Sequence, residues 1–175
     1  MPVTRYVILL RGINVGGRNS LPMKELRDIL ESLGCESVKT YIQSGNVVLS
    51  APAAPGATAI TTAIEKQFGF APRVLVIPGD RFDSVSRANP YKDEKVEGKH
   101  LHVSYLAGPA SADVDGLEAR KSPREEFTLT ADALYLLAPD GIARSKLAND
   151  AEKLLGVEAT SRNWNTVCKL LEMLD

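Results

Sequence analysis

The chain opens with an apolar run, "RYVILL" (5–10), that has no polar break. β-Branched residues in so short a run predict a buried-type strand. The next apolar positions change period. In "LPMKELRDILESLG" (21–34), Met23, Leu26, Leu30 and Leu33 fall on one helical face with Ile29 beside them. Pro22 suits the first turn of that helix, and Gly34 suits its C-cap. Two strand-like runs follow, "SVKTYIQ" and "NVVLS", split by Ser44–Gly45, which predicts a hairpin. After the loop "APAAPGA", "TAITTAIEKQFG" (58–69) returns to helical spacing through Ile60, Ala63, Ile64 and Phe68, with Gly69 as its stop. "RVLVI" (73–77) is a fourth strand.

The order β-α-β-β-α-β is the ferredoxin-like, split β-α-β pattern: an antiparallel sheet with two helices on one face. Residues 1–78 thus form a first half. Residues 79–99 are polar and punctuated, and read as a short helix over 80–88 followed by a linker. Residues 100–175 echo the first half in pattern. They give a strand in "KHLHVSYLA", a short helix or turn in "SADVDGLEARK", and a hairpin in "EEFTLTADALYLLAP" turning near Ala131–Asp132. A helix in "IARSKLANDAEKLLG", a short strand in "VEAT" and a C-terminal helix in "SRNWNTVCKLLEMLD" complete it. In the last helix Trp164, Val167, Cys168, Leu171 and Leu174 are read as inward, with Thr160 or Ser161 as N-cap. The fold class expected is α+β: two ferredoxin-like halves plus a C-terminal helix.

Composition narrows the function classes. The 175 residues are 44% hydrophobic and 25% charged, with a net charge of −1. That is an ordinary globular balance, and it disfavours a broad nucleic-acid or anionic-membrane surface. Only 6% of residues are aromatic, and "RYVILL" and "NVVLS" carry no aromatic pair for stacking bases. A single-stranded RNA or protein-interaction module is therefore a lesser alternative. No stretch reaches the length of a membrane span, and no signal-peptide cleavage pattern is visible, so a cytoplasmic location is expected. Cys35 and Cys168 fit no metal or redox spacing and read as inert buried thiols. His100 and His102 are read as two apart on one strand, and no carboxylate or cysteine pattern completes a metal site around them. No metal and no cofactor are expected. "KDEKVEGK" (92–99) reads as a solvated charge run.

The first loop is where charge is uneven. Arg5, Arg11, Arg18 and Lys24 precede the first acid, Glu25. Between strand and helix stand Arg11, Gly12, Asn14, Gly16, Gly17, Arg18 and Asn19. In a ferredoxin-like sheet the first and third strands are antiparallel neighbours, so this loop and the turn Ser44, Gly45, Asn46 share one sheet edge. Glycine amides, the open N-terminus of the first helix and two arginines would suit phosphate or carboxylate. The loop has no Walker A or Rossmann glycine spacing. The alternative is that the glycines shape a turn and the asparagines cap it. Arg162, Asn163 and Asn165 stand before or in the last helix. They are candidates to close over the loop in a cleft between the halves, or to satisfy backbone carbonyls instead.

"LLRGINVGGRNSLPMKEL", "GCESVKTYIQSGNVVL" and "ATSRNWNTVCKL", in that order, resemble the bacterial family known as domain of unknown function 1697. Asn89–Pro90 also fits; Cys35 stands where a larger apolar residue is expected. The resemblance implies an α+β chain of two ferredoxin-like halves. It brings no reaction and no catalytic residues. It marks Arg11 to Gly17, Asn19, Ser44 to Asn46 and Arg162 to Thr166 as signature positions. The expected function is binding of a small anionic, phosphate-bearing or nucleotide-like ligand. An enzyme acting at the same cleft, with Ser44 or Tyr41 serving, is the alternative.

Overall fold

The computed structural model describes residues 2–93 and 95–175. The chain divides into two compact units, Met1–Asp83 with Lys169–Asp175, and Ser84–Cys168.

In the first unit, β1 (Thr4–Arg11), β2 (Glu36–Tyr41), β3 (Asn46–Ala51) and β4 (Arg73–Pro78) form one antiparallel sheet in the order β2-β3-β1-β4. The helices α1 (Met23–Ser32) and α2 (Ala57–Phe68) pack on one face. Tyr6, Ile8 and Leu10 point to that face and meet Leu26 and Leu30 of α1 and Ile60 and Ile64 of α2. The alternate residues Val7 and Leu9 are equally inaccessible to solvent. β1 is buried on both faces, which is why it reads as an unbroken apolar run.

The second unit repeats the topology. Its strands β5 (Leu101–Leu106), β6 (Glu126–Leu129), β7 (Ala133–Leu137) and β8 (Ala159–Asn163) run in the order β6-β7-β5-β8. Leu134 and Leu136 of β7 pack with Leu117 of α4 (Val114–Arg120) and Leu147, Leu154 and Leu155 of α5 (Lys146–Leu155). Two further helices, α3 (Gly79–Arg87) and α6 (Trp164–Leu174), complete the chain. The fold is α+β with two ferredoxin-like halves, as the sequence pattern implies.

Several boundaries differ from the expectation, each for a physical reason. Tyr41 pairs with Asn46, so four residues, not two, connect β2 and β3. Pro22 stands at the N-cap of α1, one position before its first turn. α5 begins at Lys146 and not near Ile142, because the Ser145 hydroxyl caps it by accepting from the Ala148 amide at 3.0 Å. The last strand extends to Asn163, since Thr160 to Asn163 pair with Tyr105 to His102. Thr160 and Ser161 are therefore strand residues and not caps. Along α6 the fully buried stripe is Val167, Leu170 and Leu171; Trp164 and Leu174 are half-buried, and Cys168 is exposed. Cys35 is buried as expected. His100 ends a short 3-10 turn (Gly98–His100), so it does not share a strand with His102. The charge run at 92–99 includes Glu94, which lies outside the described residues.

Candidate functional site

The glycine loop is a miniature hairpin. The Val15 amide donates to the Arg18 carbonyl (3.2 Å), Arg18 returns the bond (2.9 Å), and the Asn14 amide donates to Asn19 (3.0 Å). Gly16 and Gly17 form the two-residue turn with φ of 58° and 75°. Two successive positive φ values mark the primed turn that matches strand twist, for which Gly-Gly is a favoured sequence. The glycine amides stand at the exposed tip of this hairpin.

Asparagines fasten the hairpin to its surroundings. Asn14 Nδ2 donates to the carbonyls of Leu21 (2.9 Å) and Gln43 (2.8 Å), and its Oδ1 accepts from the Leu21 amide (2.8 Å). One side chain thus ties the loop to the entry of α1 and to the β2–β3 turn. Asn19 Nδ2 donates to the Gly12 carbonyl at 2.8 Å. Both asparagines are left-handed, with φ of 53° and 54°, a conformation Asn tolerates better than most residues. In the neighbouring turn, the wholly buried Asn46 donates to the Tyr41 carbonyl (3.1 Å) and to Ser44 Oγ (2.9 Å). The amide groups of Asn14 and Asn46 are committed to shaping the edge.

The two loops adjoin as the topology requires. Leu9 pairs with Asn46, and the Leu10 amide donates to the Gly45 carbonyl at 2.9 Å. Exposed apolar residues stand on both: Val15 is 63% and Ile42 50% accessible. Ile42 has a φ of 50°, which is costly for a β-branched residue.

Positive charge gathers at the end of β1. Arg11 lies directly opposite Arg73 in the β1–β4 ladder. Residues so paired share a face with Cβ atoms about 5 Å apart, and like charges there repel. Arg18 is exposed on the hairpin. Arg73 was not among the sequence candidates. The signal was available: strand four runs antiparallel to strand one, so its first residue must meet the last residue of β1.

The third motif serves local structure in the second unit. Asn163 Oδ1 accepts from the Thr166 amide at 3.0 Å and so caps α6. Arg162 donates to the Ser161 carbonyl at 2.9 Å. Asn165 fills the space beside Gly98, where a Cβ would come within 2.1 Å of its Oδ1.

Among the described residues no group of three or more potential metal ligands gathers. His102 is buried on β5, and its Nε2 has no hydrogen-bond partner among the described residues. Burial lowers its pKa, opposed by a hydrogen bond with the Lys99 backbone. Burial raises the pKa of Cys35, which suits an inert thiol. Among the described residues, no helix is long and apolar enough to cross a membrane.

Comparison with known proteins agrees with the fold. The conserved bacterial protein SP0830 from Streptococcus pneumoniae superposes with a TM-score of 0.68 at 22% identity, over 99% of this chain and 100% of that one. A protein of unknown function from Galdieria sulphuraria matches at 14% identity over 93% of this chain and 99% of its own, with a TM-score of only 0.28. No curated protein matches. The family described as "Protein of unknown function (DUF1697)" matches residues 3–135, and the chain belongs to that family.

Proposed function

We propose that the protein binds a small anionic, phosphate-bearing ligand at the loop edge of its first unit. The observation that carries this reading is the opposed pair Arg11 and Arg73 beside the glycine hairpin. An anion beside two guanidiniums accepts from their planar forks of donors. Arg18 and the amides of Gly16 and Gly17 would complete the contacts. Asn19 keeps its Oδ1 for a ligand donor. Asn14, Ser44, Gly45 and Asn46 act on this reading as the frame that holds the edge, with Gly12 as the pivot out of β1.

Two observations weigh against the alternatives. Residues 12–20 and 42–46 contain no histidine or carboxylate, so Ser44 has no general base in either loop. The central strand β1 is buried on both faces, which leaves it no open surface for stacking bases.

The test is thermal denaturation with a panel of nucleotides and sugar phosphates, on the wild type and on Arg11→Ala and Arg73→Ala. A ligand at 100 times its Kd stabilises by about 2.7 kcal/mol. The reading expects a shift in the wild type that either substitution removes. It fails if no compound shifts the wild type, or if both variants shift equally.

A further inference from the structure

We propose that the second unit carries a separate binding site, on the α5 face of its sheet, for an uncharged planar heterocycle of the nucleobase class. The two units repeat one topology, so the β1–β4 ladder of the first corresponds to the β5–β8 ladder of the second. In the first unit the helix face of that ladder is apolar at each pair: Tyr6 with Pro78, Ile8 with Val76 and Leu10 with Val74. In the second unit only Leu106 with Ala159 keeps this character. The next pairs on the same face are Ser104 with Ser161 and His102 with Asn163. They share the face of Leu134 and Leu136, their neighbours on β7, which pack with α5. The fold does not require serines on a helix-covered face, because the first unit fills its own with branched and aromatic side chains.

The serine pair lines a cavity of about 230 Å³ beside the first two turns of α5. Ala148 and Ala151 of α5 face it with side chains too short to fill it. Leu134, Leu136 and Ile142 supply apolar walls. Three neutral polar groups complete the lining: the hydroxyls of Ser104 and Ser161, directly opposite each other in the ladder, and the amide of Asn149. Among the described residues these three side chains have no hydrogen-bond partner. No charged side chain lines the cavity. Ser104 is half-buried, while Ser161 and Asn149 are exposed, so the polar groups run from the floor to the mouth.

This lining selects its ligand by exclusion. A carboxylate or phosphate would lose its hydration and meet no cation. Solvent can serve the serines and Asn149, so a hydrocarbon that displaced it would not return those hydrogen bonds. A sugar carries hydroxyls on its faces as well as its rim, and would set some of them against Leu134, Leu136 or Ile142. A flat ring with apolar faces and both donors and acceptors along one edge meets every wall. Serine hydroxyls and the asparagine amide each donate and accept, which matches such an edge. The volume is below the roughly 300–1,000 Å³ of sites for drug-sized ligands, which suits one ring system and not a whole nucleotide.

The experiment is calorimetric titration of the full chain with adenine, hypoxanthine, cytosine and uracil, and with indole as a flat ring that lacks their acceptors. The proposal expects at least one base to bind with a Kd of about 1 mM or tighter, and indole to bind about tenfold more weakly or worse. Ser104→Val with Ser161→Val gives this face the apolar character of the first unit, and should abolish binding of the base without loss of thermal stability. Ser161→Ala alters one exposed hydroxyl and keeps the test decisive if the double variant does not fold; it should weaken the base by about tenfold and leave indole unchanged. The proposal is overturned if none of the four bases binds at about 1 mM, or if indole binds as tightly as the best of them. It is also overturned if Ser161→Ala, or the folded double variant, binds that base like the wild type. Arg11→Ala should leave this titration unchanged, so the outcome here is independent of the first-unit reading.

Discussion

Gly45 lies so close to Leu10 that a Cβ added to it would stand 2.7 Å from the Leu10 Cβ and 2.9 Å from Ile13 Cδ1. Its φ of 89° is also one that side chains rarely adopt. Space and backbone therefore demand glycine together. Gly45→Ala is expected to cost about 2–4 kcal/mol, from left-handed strain plus overpacking. Gly69→Ala separates the two causes, because Gly69 shares the positive φ but has nothing within 4 Å of an added Cβ. It should cost about 1–2 kcal/mol. Urea denaturation of both variants measures the difference, and equal losses would remove the contact with Leu10 from the account.

Asn14 joins three segments through one amide, so its chemistry can be tested atom by atom. Asn14→Ala loses all three bonds and should destabilise by about 2 kcal/mol. Asn14→Asp keeps the acceptor for the Leu21 amide but turns a carboxylate toward the carbonyls of Leu21 and Gln43. It should be at least as damaging as alanine near neutral pH and should recover part of the loss in acid. If Asp is tolerated better than Ala at pH 7 by chemical denaturation, the donors to Leu21 and Gln43 contribute little.

The fold was legible because its periods are clean. β1 and β3 are apolar runs, α1 and α5 carry single apolar stripes, and the glycines at 69 and 156 mark helix ends. The adjacency of the first loop to Ser44–Asn46 followed from topology alone. What could not be read was how the polar residues are spent. Asn14, Asn19 and Asn46 have the same composition whether they face a ligand or the backbone, and only coordinates assign their hydrogen bonds. The β8–α6 boundary was hidden for a related reason. Ser161, Arg162 and Asn163 are polar and continue the strand through backbone pairing with β5, which leaves no hydrophobic signature. Cys168 misled by its apolar neighbours, though it falls on the exposed side of α6.

That boundary makes Asn163 the cap, and the assignment has a measurable consequence. Asn163→Ala removes the acceptor for the Thr166 amide and should cost about 1 kcal/mol, whereas Asn163→Asp should keep most of the stability. Ser161→Ala should be nearly silent, since Ser161 is an exposed strand residue. A larger loss at Ser161 than at Asn163 in thermal or urea unfolding would return the cap to the earlier residue.

His102 gives the protein a pH dependence whose sign is fixed by burial. The side chain is 7% accessible, and desolvation holds its pKa below the ordinary 6.5. Above about pH 6.5 the imidazole is neutral in both folded and unfolded chains, and its contribution does not change with pH. As pH falls below that value the unfolded chain takes up a proton that the folded chain resists. Stability therefore declines from about pH 6.5 downward until the folded pKa is passed, with a slope from this residue of at most about 1.4 kcal/mol per pH unit. Other groups titrate in the same range, so the difference from a variant is what matters. His102→Leu should lose stability less steeply than the wild type between pH 7 and pH 5, both values bracketing the ordinary histidine range of about 6.5. Parallel curves for the two proteins would mean that His102 protonates as readily folded as unfolded, and the burial argument would fail.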